Sequence, residues 1–190
     1  MCFYHLHKLR QLKRHVGVEV MRQLITSFIF SRLDYCKALL VNLPFSTIAP
    51  LQRVQNASAR LLLGLPRRDH VVVRPALKEL HWLPVVFRIQ FKVALMMFTV
   101  HTRRCPYYLT DSVQACIYNS DPGRTCTRLR SASSTNYSVP RTRTKFGDRA
   151  FSVAGPVVWN SLPAAVREAD SLYSFKRKLK THLFTMCFTD

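Results

Sequence analysis

Apolar residues recur at helical spacing through most of the chain, and this pattern restricts the possible folds more than any other feature. The segment 51–66, LQRVQNASARLLLGLP, is the clearest case. Its stripe follows the i, i+3, i+4, i+7 spacing of one buried helix face and comprises Leu51, Val54, Ser58, Leu61, Leu62 and Leu65. The segment therefore predicts an amphipathic helix, and similar stripes elsewhere predict a mainly α-helical protein.

The region before residue 118 divides into further helices. Residues 1–15 form a basic amphipathic segment, 18–42 a second helix, and 85–101 a strongly apolar helix. The second helix is expected to direct inward the residues Val20, Leu24, Phe28, Leu33, Leu39 and Leu40. We take 1–117 as one helical region.

Three local signals place the ends of the helix that contains 51–66. Ser46 or Thr47 is the expected N-cap, because a hydroxyl can accept a hydrogen bond from an unpaired amide of the first turn. Pro50 is expected in the first turn, where a missing N–H costs little. Gly64 is the expected stop, because glycine readily adopts the left-handed conformation that ends helices.

The composition changes at residue 118. Residues 118–149 are rich in Ser, Thr and Arg and have few large apolar residues, so we predict a basic, partly disordered linker with room for a short strand near 137–139. Residues 150–190 are predicted to form a short helical C-terminal tail that packs back through Phe151, Trp159, Leu162 and Phe175. Its last helix, 171–186, is expected to begin at a Ser171 cap.

The charge of the chain narrows the choice of partner. Lys and Arg number 29 against 10 Asp and Glu, which gives a formal net charge of +19. Such an imbalance destabilises the compact state through self-repulsion, and a polyanionic partner relieves it. Nucleic acid is the leading partner, an anionic membrane is the second, and a basic protein without a polyanionic partner is the third.

The acidic residues do not form a catalytic pattern. Chemistry on phosphates usually needs two or more carboxylates that converge on divalent metal, and the chain has no Asp-Asp or Asp-x-Asp pair. His101, Cys105, Cys116 and Cys126 lack the paired Cys spacing of a zinc site. We therefore expect no enzymatic activity, no cofactor and no metal.

The N-terminal sequence MCFYHLHKLRQLKRH lacks an apolar segment of signal-peptide length. We therefore expect an intracellular protein, in the nucleus or cytoplasm, whose six cysteines stay reduced. The longest apolar stretch, 93–100, is far shorter than a membrane span, and no membrane association is expected.

Five segments carry a family resemblance in one order along the chain: SRLDYCKALLVNLP, LQRVQNASARLLLGLPRRDHV, LKELHWLPVVFRIQFKV, FGDRAFSVAGPVVWNSLP and FKRKLKTHLF. Together they resemble the C-terminal part of the reverse transcriptase polyprotein of non-LTR retrotransposons, the LINE-class and Jockey-like transposable elements. The resemblance extends from about residue 3 to 185 of this sequence.

The resemblance implies a helical thumb and a post-palm tail of an RNA-directed DNA polymerase. The catalytic Tyr-Ala-Asp-Asp motif of that family lies upstream of the matching region, and the chain contains no such motif. The chain is therefore expected to be a truncated remnant without catalysis. The alternatives are a helical protein-interaction module and a non-functional translated repeat.

A polymerase thumb buries one face of its helices and lays the other along the template–primer duplex. By this resemblance and by charge, the expected partner is RNA or an RNA–DNA hybrid, bound non-specifically through backbone phosphates. The candidate contact residues are Arg53, Asn56, Arg60, Arg67, Arg68, Arg141, Arg143, Lys145, Lys176, Arg177, Lys178 and Lys180.

Overall fold

The protein is mainly α-helical, as the sequence predicts. The computed structural model describes residues 2–66, 73–115 and 135–189. The chain divides into two compact units, and each is described by itself. The first unit comprises Met1–Ile89 with Leu183–Asp190, and the second comprises Gln90–His182.

The first unit is built from short and long helices in sequence. These are α1 (Cys2–Leu12), α2 (Val18–Ile25), a π-helical turn (Thr26–Phe30), α3 (Ser31–Leu33), a 3₁₀ turn (Lys37–Leu40), α4 (Phe45–Leu63) and α5 (Val73–Glu79). The helix α6 (Val85–His101) has the bounds predicted for 85–101. It begins in the first unit and ends in the second.

The second unit contains shorter elements. These are α7 (Tyr107–Asp111), a 3₁₀ turn (Gly147–Arg149), α8 (Phe151–Asn160), α9 (Ala164–Arg167) and most of α10 (Leu172–Phe188), whose last residues belong to the first unit. An isolated antiparallel bridge pairs Ala115 with Tyr137.

One i, i+4 stripe supplies much of the core of the first unit. Met21, Ile25, Ile29 and Leu33 are all buried, and they pack with apolar residues of α1, α4 and α5. Of the predicted inward residues, Leu33 is buried and Leu24 packs against this core, but the prediction was wrong for Val20, Phe28 and Leu39, which are exposed. Apolar residues stand on both sides of this helix, so the sequence alone does not select between the two stripes.

The predicted helix 18–42 is also too long. The continuous helical run ends at Leu33, and Cys36 adopts a left-handed conformation with φ of 49° before the 3₁₀ turn begins. No glycine or proline marks this stop. The prediction failed because a cysteine occupies the backbone conformation for which glycine is the usual signal.

The helix α4 confirms its predicted C-terminus but not its N-terminus. Gly64 takes φ of 73°, and the amide of Leu65 donates to the carbonyl of Arg60. The helix begins at Phe45, since the Pro44 carbonyl accepts the amide of Ile48, and neither Ser46 nor Thr47 is its N-cap. Pro50 consequently lies inside the helix rather than in its first turn.

The core of the second unit is aromatic. Trp159 and Phe175 are fully buried, Phe98 is stacked on Phe175 at 4.2 Å between ring centroids, and Trp159 is stacked on Phe175 at 6.0 Å. Gly155 permits close packing here, because a Cβ at this position would lie 2.7 Å from Met97 Sδ. The predicted packing of the tail through Trp159, Leu162 and Phe175 is confirmed by their burial, with Phe151 half-buried.

The helix α10 follows its predicted pattern. The Ser171 hydroxyl accepts the amide of Ser174 at 3.1 Å, which is the predicted N-terminal cap. Phe175, Leu179 and Leu183 form its buried stripe. The opposite face of this long helix is exposed to solvent. The helix contains no acidic residue.

The described part of the predicted linker, 135–149, makes specific contacts at its start. The Asn160 side chain accepts the amide of Tyr137 and donates to its carbonyl, at 2.9 and 2.8 Å. The indole of Trp159 donates to the carbonyl of Thr135 at 2.9 Å. These hydrogen bonds hold 135–137 against α8, while the linker boundaries 118 and 149 stay a prediction.

Candidate nucleic-acid interface

The polar face of α4 contains three of the candidate contact residues. Arg53 is exposed, whereas Asn56 and Arg60 are half-buried. Arg67 and Arg68 follow this helix in the chain and lie outside the described residues. Arg53 is therefore the α4 candidate whose charge is most accessible to a phosphate.

The amides of this face serve the fold. Gln52 Nε2 donates to Asn56 Oδ1 at 2.8 Å, and Gln52 Oε1 accepts the backbone amide of Val85 at 2.8 Å. Gln55 is fully buried, and its Nε2 donates to the Leu83 carbonyl at 2.8 Å. This network fixes α4 to the segment that precedes α6. On this face of α4, the arginines are therefore better placed than the amides to bind phosphate.

A cavity of about 720 Å³ lies beside α4 in the first unit. Its cationic and potentially cationic lining consists of Arg60 from α4 together with His7, Arg10 and Lys13 from α1 and the turn that follows. Its apolar lining includes Phe3, Leu6, Leu61, Leu65 and Pro66. Among the described residues, no carboxylate lines it.

His7, Arg10 and Lys13 are not among the contact residues predicted from the sequence. They recur every third residue and so share one face of α1 and its C-terminal turn. That spacing was visible in the sequence. The spacing could not show that Arg60, Leu61 and Leu65 line the same cavity, because these residues lie about fifty positions later in the chain.

The largest group of candidate residues lies on α10 in the second unit. Lys176, Arg177, Lys178 and Lys180 are all exposed, as predicted. Lys178 Nζ donates to the Ala165 carbonyl at 3.0 Å, and this hydrogen bond holds its ammonium group at the end of α9. Lys176, Arg177 and Lys180 therefore form the row that is best placed for a ligand, and we call these three residues the α10 row.

Three more candidates, Arg141, Arg143 and Lys145, lie in the second unit on irregular backbone, and all are exposed. The nearby Asp148 carboxylate accepts a hydrogen bond from Thr142. The amide of Gly147 donates to the Thr144 hydroxyl at 3.0 Å. These bonds shape the turn that follows the three cations.

The long helices share one electrostatic property. The sequences of α1, α4, α6 and α10 contain no Asp or Glu at all. On ordinary exposed helices, opposite charges alternate and form i, i+4 pairs. Here the cations of each helix have no acidic neighbour within that helix, although Arg88 of α6 pairs with Asp34 from outside it.

A second cluster of titratable groups lies in the second unit. His101 Nδ1 is 3.2 Å from the Tyr137 hydroxyl, and the imidazole lies 5.1 Å from the Trp159 ring. Burial of the ring against these neighbours lowers the pKa of His101 below 6.5, and the charge of Arg167 lowers it further. Burial likewise raises the pKa of Tyr137 above 10.0. The cluster therefore favours a neutral imidazole.

This shift predicts an acid-sensitive second unit. The unfolded chain binds a proton at His101 as the pH falls through about 6.5, whereas the folded chain binds it only at lower pH, so acidification lowers the free energy of unfolding. Between about pH 7.5 and pH 5, the His101→Gln variant should lose less stability than the unsubstituted chain. Urea unfolding at several pH values tests this, and parallel pH curves for the two proteins would contradict it.

Of the four residues considered for zinc, Cys116 and Cys126 lie outside the described residues, and His101 and Cys105 have other partners. His101 contacts Tyr137, and Cys105 Sγ is 3.3 Å from the Thr110 hydroxyl. Across residues 2–66, 73–115 and 135–189, no group of three or more His, Cys, Asp or Glu side chains is placed to hold a metal ion. In the same residues, no helix combines the length and the hydropathy that crossing a bilayer requires.

Comparison of the chain with protein-family models, with curated proteins and with solved structures found no match. The chemistry of the residues themselves therefore has to indicate the function. The described candidates lie on α4 in the first unit, and on α10 and in 141–145 in the second.

Proposed function

We propose that the chain binds RNA or RNA–DNA hybrid non-specifically through backbone phosphates, as a remnant of a non-LTR retrotransposon reverse transcriptase without a catalytic palm. One observation carries the proposal: the long helices present exposed cations, and none of them contains an acidic residue. Phosphate binding needs many point charges and no base readout, and this surface supplies that chemistry.

The proposal includes no polymerase chemistry. The chain lacks the adjacent aspartates that would hold two divalent metal ions, so binding is the function that its residues support. The resemblance to a helical thumb agrees with this reading, because a thumb contributes duplex contacts and not the reacting groups.

The α10 row provides the test. Replacing Lys176, Arg177 and Lys180 with Gln should flatten the slope of log affinity against log salt by about 2 to 3, since each lost phosphate contact removes about 0.9 from a duplex slope. Affinity for different hybrid sequences should fall by similar factors, because phosphate contacts carry no sequence information. The measurement is fluorescence anisotropy with a short labelled RNA–DNA hybrid between about 50 and 200 mM salt.

The matched control exchanges the cations at the same positions: Lys176→Arg, Arg177→Lys and Lys180→Arg. It preserves the charge of the row, so its salt slope should equal that of the unsubstituted chain. Circular dichroism checks that both variants stay folded, as expected for exposed positions. A helical protein-interaction module or an unused translated repeat would show no steep salt dependence, and that outcome would refute the proposal.

A further inference from the structure

The cavity beside α4 has features that phosphate-backbone binding does not require. Its volume of about 720 Å³ lies within the range of about 300–1,000 Å³ that is typical of small-molecule sites. Duplex phosphates are presented on a convex surface, and exposed cations suffice to bind them. A concave site with an apolar wall therefore indicates a different kind of ligand.

We infer that this cavity binds one unpaired nucleotide of a nucleic-acid strand, with the phosphate at Arg10, Lys13 and Arg60 and the base against Phe3 and Leu61. The inference rests on the proposed function and names the part of the nucleic acid that this one site takes. The two halves of the lining match the two halves of a nucleotide, which is an anion joined to a flat, largely apolar ring.

The cationic half of the cavity is well defined. Lys13 Nζ lies 3.2 Å from the position that a Cβ on Gly64 would occupy, so its ammonium group stands over the C-terminal end of α4. Arg60 lies one turn earlier on the same helix, and Arg10 lines the cavity from α1. Three cations, from α1, the turn after it and α4, line the cavity, and no carboxylate of the residues that the structure describes joins them, so they form a site for a phosphate group.

The apolar half explains the choice of an unpaired nucleotide. In a duplex the faces of the bases are stacked on one another, and only an unpaired base can offer a face to a protein wall. Phe3 is 57% exposed although it lines the cavity, so its ring is available to a base. Stacking of a base on an aromatic ring is the usual contact of single-strand binding proteins.

The first test uses adenosine 5′-monophosphate with the full chain. Saturable shifts in ¹H–¹⁵N spectra should localise to amides around the cavity, such as Leu61 and Gly64. Inorganic phosphate should bind more weakly at the same place, because it lacks the base. No saturable shift with the nucleotide, or equal affinity for phosphate alone, would overturn the inference. Binding of laurate without binding of the nucleotide would instead indicate a site for amphiphilic acids and would also overturn it.

The second test compares a blunt RNA–DNA hybrid with the same hybrid that carries one unpaired adenosine at its 3′ or 5′ end. The unpaired nucleotide should raise affinity by about 5- to 150-fold, which is the size of a single base-stacking contact. Equal affinity for blunt and overhanging hybrids would overturn the inference and leave the proposed function intact. Weak, salt-independent binding of the blunt hybrid would count against the proposed function alone, since nucleotide binding is measured separately.

Two variants and one control assign the effect to the cavity. Ala57→Leu fills the cavity without a change of charge, and Arg10→Gln removes one cation from an exposed helix position. Both should abolish or reduce severalfold the gain from the unpaired nucleotide. Arg53→Gln removes one cation from α4 outside the lining, so it should lower the affinity for the blunt and the overhanging hybrid by the same factor and leave the gain between them unchanged. A gain that survives both cavity variants would contradict the assignment, and Arg10→Gln keeps the test valid if Ala57→Leu disturbs the fold.

Discussion

Replacing Trp159 with alanine is expected to lower the free energy of unfolding by about 3–5 kcal/mol, the largest stability effect of any substitution considered. The indole is fully buried between Phe175 and His101 in the second unit. Alanine would remove that contact area and leave a cavity that the surrounding rings can fill only in part. It would also leave the Thr135 carbonyl without the indole N–H that it now accepts.

Urea unfolding followed by circular dichroism measures this loss. The chain has two tryptophans, and Trp82 belongs to the first unit, where it contacts Phe30 at 4.5 Å. In the alanine variant, fluorescence therefore reports on the first unit alone. Trp159→Phe is the matched control, because it keeps an aromatic ring against Phe175 and loses only the donor and part of the volume. Its cost should be clearly smaller than that of alanine, and equal losses would show that ring packing is not the main contribution.

The sequence predicted the helices whose apolar stripe is unambiguous. In α10 the residues Phe175, Leu179 and Leu183 repeat every four positions against a run of cations, so only one face can be buried. In α6 the apolar run is long and is bounded by Pro84, so the helix began where it was expected. Periodicity is sufficient in such segments because no competing face exists.

The sequence did not predict how several segments end. Cys36, Asn42, His81 and Arg103 all have positive φ, and none of them is a glycine. Such conformations cost energy for a side chain with a Cβ and persist because contacts elsewhere impose them. Since those contacts come from residues that are distant in sequence, local signals cannot reveal the stop.

The candidate site was likewise predictable from the sequence only in part. The sequence predicted that the α10 row is exposed, because the apolar stripe of α10 lies on the opposite face. The sequence did not show that Gln52 and Asn56 belong to a hydrogen-bond network, because one partner of Gln52 is the amide of Val85, more than thirty residues away. The α1–α4 cavity was invisible for the same reason: its cations are local on each helix, and only the fold brings them together.

Asp34→Ala should produce the second large effect, a loss of about 2–3 kcal/mol in the free energy of unfolding. Asp34 accepts Arg88 Nε at 3.0 Å and a second bond from the same guanidinium, and Lys37 Nζ lies 3.1 Å from its Oδ1. Removing one partner of a fully buried ion pair costs about 3–5 kcal/mol, because the other charge stays buried. The side chains here are partly exposed, at 19% for Arg88 and 33% for Asp34, so a smaller loss is expected.

The net charge of the chain strengthens this expectation. In a protein of +19, each carboxylate that is removed increases the repulsion among the remaining cations. The carboxylate also positions the guanidinium of Arg88, which stands 4.8 Å above the Phe30 ring in a cation–π contact. Loss of Asp34 therefore weakens the anchor of α6 in the core of the first unit.

A double-mutant cycle separates these contributions. Asp34→Asn keeps an acceptor oxygen and loses the charge, so it should cost less than alanine, and the difference measures the hydrogen bond. Combining Asp34→Ala with Arg88→Ala should recover part of the summed single losses, because the two side chains interact directly. Unfolding is followed by tryptophan fluorescence in a Trp159→Phe background, so that the signal comes from Trp82, which shares the Phe30 contact with Arg88. A loss below about 0.5 kcal/mol for Asp34→Ala would contradict the prediction and would mean that the pair behaves as an ordinary surface salt bridge.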